Sequence, residues 1–380
     1  MKAPFALRSG GRFALLVFAG THFLVDLASA ALLFHSLAAS RSFVLCLLFY
    51  NFFAFAAEAP LGIAVDRWLE PRRFATLGCW LITGCALLGA LVAPALGSSA
   101  AGALIFASLV GVGNGIFHVG AGAQVIRRSA DRSGPLGVFV APGALGVFLG
   151  MALGKSGGVL LVIVPVLLAG CGVAIWAQAR FDEAVRPASR RFIRSSRADL
   201  SLALSGTAVA ALACLIATVI LRSYAGFSFT FSWKVGAVWP VALVLGVVAG
   251  KILGGFVGDR LGLGVAAAIS LGGAALLFLL PQVPVAGVFA VLLFNMTMPL
   301  TLRTLADLLP QTPGFAFGAL TFALYIGALP ALLGLAQITR PGWPLTLLSL
   351  GSLAILLAGL FLARVRSVAQ KEQSVLEQDR

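Results

Sequence analysis

The amino-acid sequence predicts an all-α membrane protein: twelve transmembrane helices in two pseudo-symmetric six-helix bundles. Three observations predict it. The chain of 380 residues is 60% hydrophobic and only 11% charged, with a mean hydropathy of +1.03, more apolar surface than a soluble domain of this length needs. The apolar residues gather into twelve segments, each able to cross a hydrocarbon core roughly 30 Å thick, which takes about 20 helical residues. A polar motif, Gly-x-x-x-Asp-Arg, occurs at Gly62–Arg67 and again at Gly255–Arg260, so that Asp66 and Asp259 stand 193 residues apart. Self-similarity at half the chain length implies two like halves. Strands of a membrane barrel would alternate in runs of about ten residues; these runs are longer and continuous, which selects helices.

The spans are expected in order at residues 13–38, 43–65, 74–95, 100–126, 134–155 and 157–179, then 205–231, 235–257, 263–281, 284–305, 313–337 and 343–363. Residues 1–180 form the first bundle and 201–380 the second. Short turns rich in Ser and Gly join most spans. Residues 181–200 break the rhythm: Arg, Ser and Pro187 mark a cytoplasmic linker, either solvated or lying on an anionic membrane surface. The stretch after Gln370 is polar and expected to be disordered. The first span is too long for the apolar part of a signal peptide and contains His22 and Asp26, so it reads as a span.

The formal charge of +14 does not point to nucleic acid, because the basic residues alternate from loop to loop. With the N-terminus in the cytoplasm, 21 Lys and Arg fall on the cytoplasmic side. Only Arg41, Lys155, Arg222, Lys234 and Arg340 fall on the other, and Lys251 stays inside a helix. The positive-inside rule then puts both termini in the cytoplasm. The five cysteines lie in apolar segments without Cys-x-x-Cys spacing and read as small packing residues. Gly146, Gly150 and Gly154, and likewise Gly246, Gly250, Gly254 and Gly258, recur four apart, which stacks them on one helix face where backbones can approach closely. No Gly-x-Ser-x-Gly elbow, His-Glu-x-x-His pair or phosphate loop is present, and three His make a poor catalytic inventory. Neither an enzyme nor a cofactor or metal is expected.

Ionisable groups inside the hydrocarbon layer cost several kcal/mol and call for a reason. Span one holds His22 and Asp26 on one face, Asp26 about halfway across. Burial disfavours its charged form and a nearby cation favours it, so a carboxylate balanced between them can load and release a proton. Span two holds Asn51 and Glu58; Glu58 is grouped with the proton-bearing residues, although two turns from Asp66 it is also within reach of the cytoplasmic end. Span four holds Asn114 and His118, a residue that titrates near neutral pH. His35, near the outer end of span one, is interfacial. Adding the repeat offset to Asp26 lands on Val219, which puts Arg222 of span seven at nearly the same depth. Asp26 and Arg222 are therefore expected to face one another across a central cavity, with Arg222 holding a phosphate, phosphonate or carboxylate or, in a blander reading, snorkelling to the interface. Gly62, Asp66, Arg67, Arg72 and Arg73, with Gly255, Asp259 and Arg260, form a cytoplasmic gate. There each Asp either caps the next helix or pairs with an Arg of a moving neighbour.

Two half-chain repeats, twelve spans, a basic linker and paired Gly-x-x-x-Asp-Arg loops resemble the major facilitator superfamily. His22-Phe23-Leu24-Val25-Asp26, Gly111-Val112-Gly113-Asn114-Gly115-Ile116-Phe117-His118 and Arg222-Ser223-Tyr224 resemble its fosmidomycin-resistance branch of drug exporters. Where that branch has Pro-Glu after the span-four His, this chain has Val119-Gly120. The resemblance implies the major facilitator fold and alternating access around a midplane site. It also implies a monomer in the cytoplasmic (inner) membrane that exports a small, anionic compound by proton antiport, a drug-resistance activity. Asp26, His22, His118 and Glu58 would carry the proton, and Arg222, Asn114, Asn51 and Tyr224 would orient the substrate. The expected partners are a small molecule, protons and the bilayer. Proton-coupled uptake of a nutrient is the alternative, and a sensor or scaffold that moves nothing is the alternative from another class.

Overall fold

The structure, a computed structural model, describes residues 9–129, 131–158, 160–185, 206–335 and 342–378. Among the described residues, the first six helices are α1 (Ser9–Leu37), α2 (Phe43–Arg67), α3 (Pro71–Ser98), α4 (Ala100–Arg128), α5 (Gly134–Ser156) and α6 (Leu160–Val185). The other six are α7 (Gly206–Ser228), α8 (Val238–Leu261), α9 (Leu263–Phe278), α10 (Pro284–Leu308), α11 (Pro313–Leu332) and α12 (Trp343–Gln378). Eleven are long and apolar enough to cross a membrane, and α9 is shorter. The chain is thus a multi-pass membrane protein of two six-helix bundles. Residues 186–200 of the expected linker lie outside the described residues, as do Lys2, Arg8, Arg340 and Arg380; residues 181–185 extend α6.

The boundaries follow from local chemistry. Pro71, Pro135, Pro284 and Pro313 sit in the first turn of their helices, where a missing N–H costs nothing. Gly157 (φ 70°) ends α5 and Gly262 (φ 86°) ends α8, conformations that a side chain would strain. Two helices are interrupted where the site lies. A π-turn at Phe52–Ala56 stands just before Glu58 in α2, and α5 breaks at Ala141 because Pro142 has no N–H to give.

Both glycine stripes are packing faces. A Cβ on Gly146, Gly150 or Gly154 would collide with the α1 carbonyls of Phe23, Leu27 or Ala31, and one on Gly250 or Gly254 with the α10 carbonyls of Leu292 or Met296. The halves meet along α2 with α11 and along α5 with α8. There Gly62 lies against the Gly314 carbonyl, Gly318 against that of Glu58, Gly255 against that of Ser133, and Gly137 against that of Lys251. All five cysteines are free.

Candidate functional site

α1, α2, α4, α5 and α8 converge on a buried polar cluster. His22 and Asp26 project from α1 and are 5% and 7% exposed; Asn114 and His118 come from α4. Each imidazole donates its Nδ1 hydrogen to a backbone carbonyl: His22 to Phe139 at 2.8 Å, His118 to Asn114 at 2.9 Å. A carbonyl can only accept, so this fixes the tautomer of both rings. The two Nε2 atoms then face each other at 2.8 Å. Asp26 completes the triangle, Oδ2 at 3.2 Å from His22 Nε2 and Oδ1 at 3.6 Å from His118 Nε2. Asn114 Nδ2 donates to Asp26 Oδ1 (3.0 Å) and to Ser29 (3.3 Å), and Tyr50 of α2 lies against Ser29.

That geometry has a chemical consequence. With both Nδ1 hydrogens committed, two nitrogen lone pairs and a carboxylate oxygen point into one small volume. Unshared lone pairs repel at such distances, so one proton there converts repulsion into hydrogen bonds. Two imidazoles and a carboxylate whose ligand atoms lie within 4.8 Å of one another are also a donor set that could hold a divalent cation.

Gly143 of α5 shapes the cluster. A Cβ there would collide with Asp26 Oδ2 and His22 Nε2. Gly143→Ala is expected to push the pair apart by a fraction of an ångström or more. Displacements of ~1 Å at a working site cost about 100-fold in activity, whereas the overpacking costs about 1–3 kcal/mol of stability. A variant that keeps a cooperative melt at a lowered melting point meets the expectation; an unchanged melting point contradicts it.

Glu58 lies in this central region and not at the cytoplasmic end. It is fully buried, neither oxygen makes a hydrogen bond, His118 Nδ1 is 4.0 Å away, and Thr321 of α11 is its neighbour. Lys251 of α8, set aside in the sequence as a base inside a helix, also comes here. Its Nζ donates to the Val140 carbonyl at 3.1 Å, and it is close enough to feel the charges of both Asp26 and Arg222. The repeat could have found it, since the offset that relates Asp66 to Asp259 also carries Glu58 onto Lys251. Arg222 is 7% exposed and its Nε is unbonded. It does not snorkel away, but Lys251, more than Arg222, is the base that faces Asp26. Asn51 bonds its own helix at Leu47 (2.7 Å), and the backbone of Tyr224 lies against Gly327 of α11.

At the end of the bundle where the Arg-rich loops gather, here the basic face, the repeated motif acts across the halves. Asp66 accepts from the N–H groups of Gly314 (2.9 Å) and Phe315 (2.8 Å) in the first turn of α11. Asp259 accepts from those of Ser133 (2.6 Å) and Gly134 (2.9 Å) where α5 begins. Each carboxylate caps a helix of the opposite half, not the next helix in its own. Arg127 stands 3.5 Å from Asp66. Arg303 pairs with Asp307 and reaches Asp131 of the other half at 3.3 Å, a bridge the sequence did not announce. Among the gate candidates, Arg67 and Arg260 are exposed and form no ion pair among the described residues. Arg72 donates to the Gln178 carbonyl (3.4 Å) and Arg73 pairs with Glu70 (3.3 Å), both within the N-terminal half.

No family model matches the sequence, and no curated protein matches it. Solved structures do. FucP, described as a major facilitator superfamily transporter in the outward conformation, superposes with a TM-score of 0.63 at 13% identity, over 94% of this chain and 99% of that one. The proton:xylose symporter XylE gives 0.56 at 12% identity, over 93% and 94%. The human organic anion transporter TETRAN gives 0.60 at 16% identity, over 94% and 97%. At these identities the likeness is one of fold: the chain has the major facilitator fold.

Proposed function

We propose that the chain is a secondary active transporter of the major facilitator superfamily, working as a monomer in the cytoplasmic membrane with both termini inside, and that protons drive it. One observation supports the reading: the Nε2 atoms of His22 and His118 face each other at 2.8 Å beside Asp26, with both Nδ1 hydrogens already committed to carbonyls, an arrangement that a single proton would satisfy. Asp66 and Asp259 are the latches that hold the basic face shut, and alternating access requires them to let go. The bare cations Arg222 and Lys251 favour an anionic cargo. A proton and an anion that bind the same centre attract one another, which supports co-transport and, with an inward proton gradient, uptake. The motifs of α1 and α4 that resemble drug exporters support a second reading, export by antiport, in which cargo and proton exclude one another.

Vesicles reconstituted with the protein and loaded with a pH-sensitive dye test both. A small oxyanion added outside is expected to acidify the lumen. Alkalinisation would select antiport, and cargo movement without any proton movement would end the coupling proposal. Excess EDTA is expected to leave the flux unchanged, because a proton suffices to satisfy the cluster.

A further inference from the structure

His22 and Asp26, four apart on one face of α1, meet His118 of α4 in a triangle of ligand atoms. The two Nε2 atoms are 2.8 Å apart, Asp26 Oδ2 is 3.2 Å from His22 Nε2, and Asp26 Oδ1 is 3.6 Å from His118 Nε2. An ion bonded tetrahedrally at about 2.0–2.1 Å holds its ligand atoms about 3.3 Å apart, so these separations bracket the edge of such a site. The surroundings match as well. A metal-bound imidazole donates its other ring N–H to a carbonyl or carboxylate, which orients the ring. His22 Nδ1 bonds the Phe139 carbonyl and His118 Nδ1 that of Asn114, which leaves both Nε2 lone pairs for a ligand. Asn114 Nδ2 steadies the carboxylate at 3.0 Å. Glu58, fully buried with Oε1 4.0 Å from His118 Nδ1, adds a second acid behind the first. Gly143 sends no side chain into the triangle, where a Cβ would collide with Asp26 Oδ2 and His22 Nε2. Lys251 opposes a cation here, but its Nζ is held by the Val140 carbonyl and two acids stand against its one charge.

We propose that His22, Asp26 and His118 bind one divalent first-row transition-metal ion, of the zinc and cobalt class, through three protein ligands with one position left to solvent. Two imidazoles and a carboxylate suit these ions. Calcium takes six to eight oxygens and magnesium a near-ideal octahedron of them, which a set with two nitrogens and one carboxylate does not supply. Three protein ligands and an open fourth position also set the site apart from a closed structural zinc centre, and no cysteine belongs to the group. Both helices that supply ligands lie in the first bundle, as do Glu58 and Gly143. The ion therefore ties neither half to the other, and its binding does not depend on how the halves are arranged. The proposal goes beyond the transporter reading and does not rest on it: the ion fills the place that a shared proton would, and its binding is measured with no flux at all.

The test uses the full chain purified in detergent without a polyhistidine tag, stripped with EDTA, and unfolded thermally with Zn²⁺, Co²⁺ or Mg²⁺ added. A ligand of the folded state raises the melting point. Zn²⁺ and Co²⁺ are expected to raise it saturably, with one ion bound per chain by equilibrium dialysis, and Mg²⁺ at the same concentration to leave it unchanged. Bound Co²⁺ is expected to show the intensified visible absorption of a nitrogen–oxygen site of low coordination number, without a thiolate band in the near ultraviolet. His22→Gln and His118→Gln, each checked for a cooperative melt without metal, are expected to lose the ion and the spectrum. Asn114→Ala keeps all three ligands and removes only the amide that holds Asp26, so it is expected to weaken binding about 10- to 100-fold; it also serves if a Gln variant fails to fold. His35→Gln, which removes the histidine outside the cluster, is expected to bind as the unsubstituted protein does. No saturable binding, an equal effect of Mg²⁺, a thiolate band, binding that survives in the folded Gln variants, or undiminished affinity in the Asn114→Ala variant would each overturn the proposal.

Discussion

Asp26→Asn is expected to reduce pH-driven flux to the level of empty vesicles while exchange of cargo for cargo across the membrane continues. Asn has the size of Asp and can still accept from Asn114 at Oδ1. Its amide can donate to the imidazole Nε2 atoms, so the cluster closes without a shared proton. A cluster that no longer needs a proton cannot link its arrival to the movement of the halves, whereas exchange of like for like needs no net proton. The measurement is uptake driven by a pH step compared with counterflow in the same vesicles. Loss of both would point to a collapsed site, and retention of pH-driven uptake would remove Asp26 from the coupling role.

Asp66→Ala combined with Asp259→Ala is expected to open the basic face. Each substitution removes a carboxylate that satisfies two N–H groups at a helix start, a change worth ~1–2 kcal/mol per cap. The two lie in different halves and share no partner, so their effects add, giving about 2–4 kcal/mol. Each 1.4 kcal/mol is a factor of ten, so the ratio of closed to open molecules falls by ~30- to 700-fold. Spin labels placed at the ends of α4 and α10 on that face report the change as a longer inter-label distance; an unaltered distance distribution would show that the latches do not set the equilibrium. Each single substitution is expected to give about half the shift in free energy.

The architecture was legible because a bilayer demands long apolar runs and leaves a regular signature. Eleven expected spans are found at near their expected bounds, and α9 is a few residues shorter than its apolar run because it stops at Phe278. Asp66 and Asp259 were legible as a repeat, but not what they hold: hydropathy gives depth and never azimuth, so the capped helices, α11 and α5, could not be named. Azimuth also explains Lys251 and Glu58. Both were visible as costly charges within apolar helices, and only the packing of α2 against α11 and α8 against α5 shows which way they look. Arg72 and Arg73 matched the motif's composition, and in the structure they contact the Gln178 carbonyl of α6 and Glu70, partners that composition does not identify. The sequence grouped His22 with His118 by role and did not pair them; four-residue spacing accounts for each helix alone and says nothing of their meeting.

Beside the interruption of α5 two consecutive carbonyls face different bodies: that of Phe139 serves His22, and that of Val140 serves Lys251. One short stretch of backbone thus touches both the polar cluster and the second bundle. If the second bundle moves against the first, the tie to Lys251 is the one that crosses the halves and would break, while the tie to His22 stays within the first bundle.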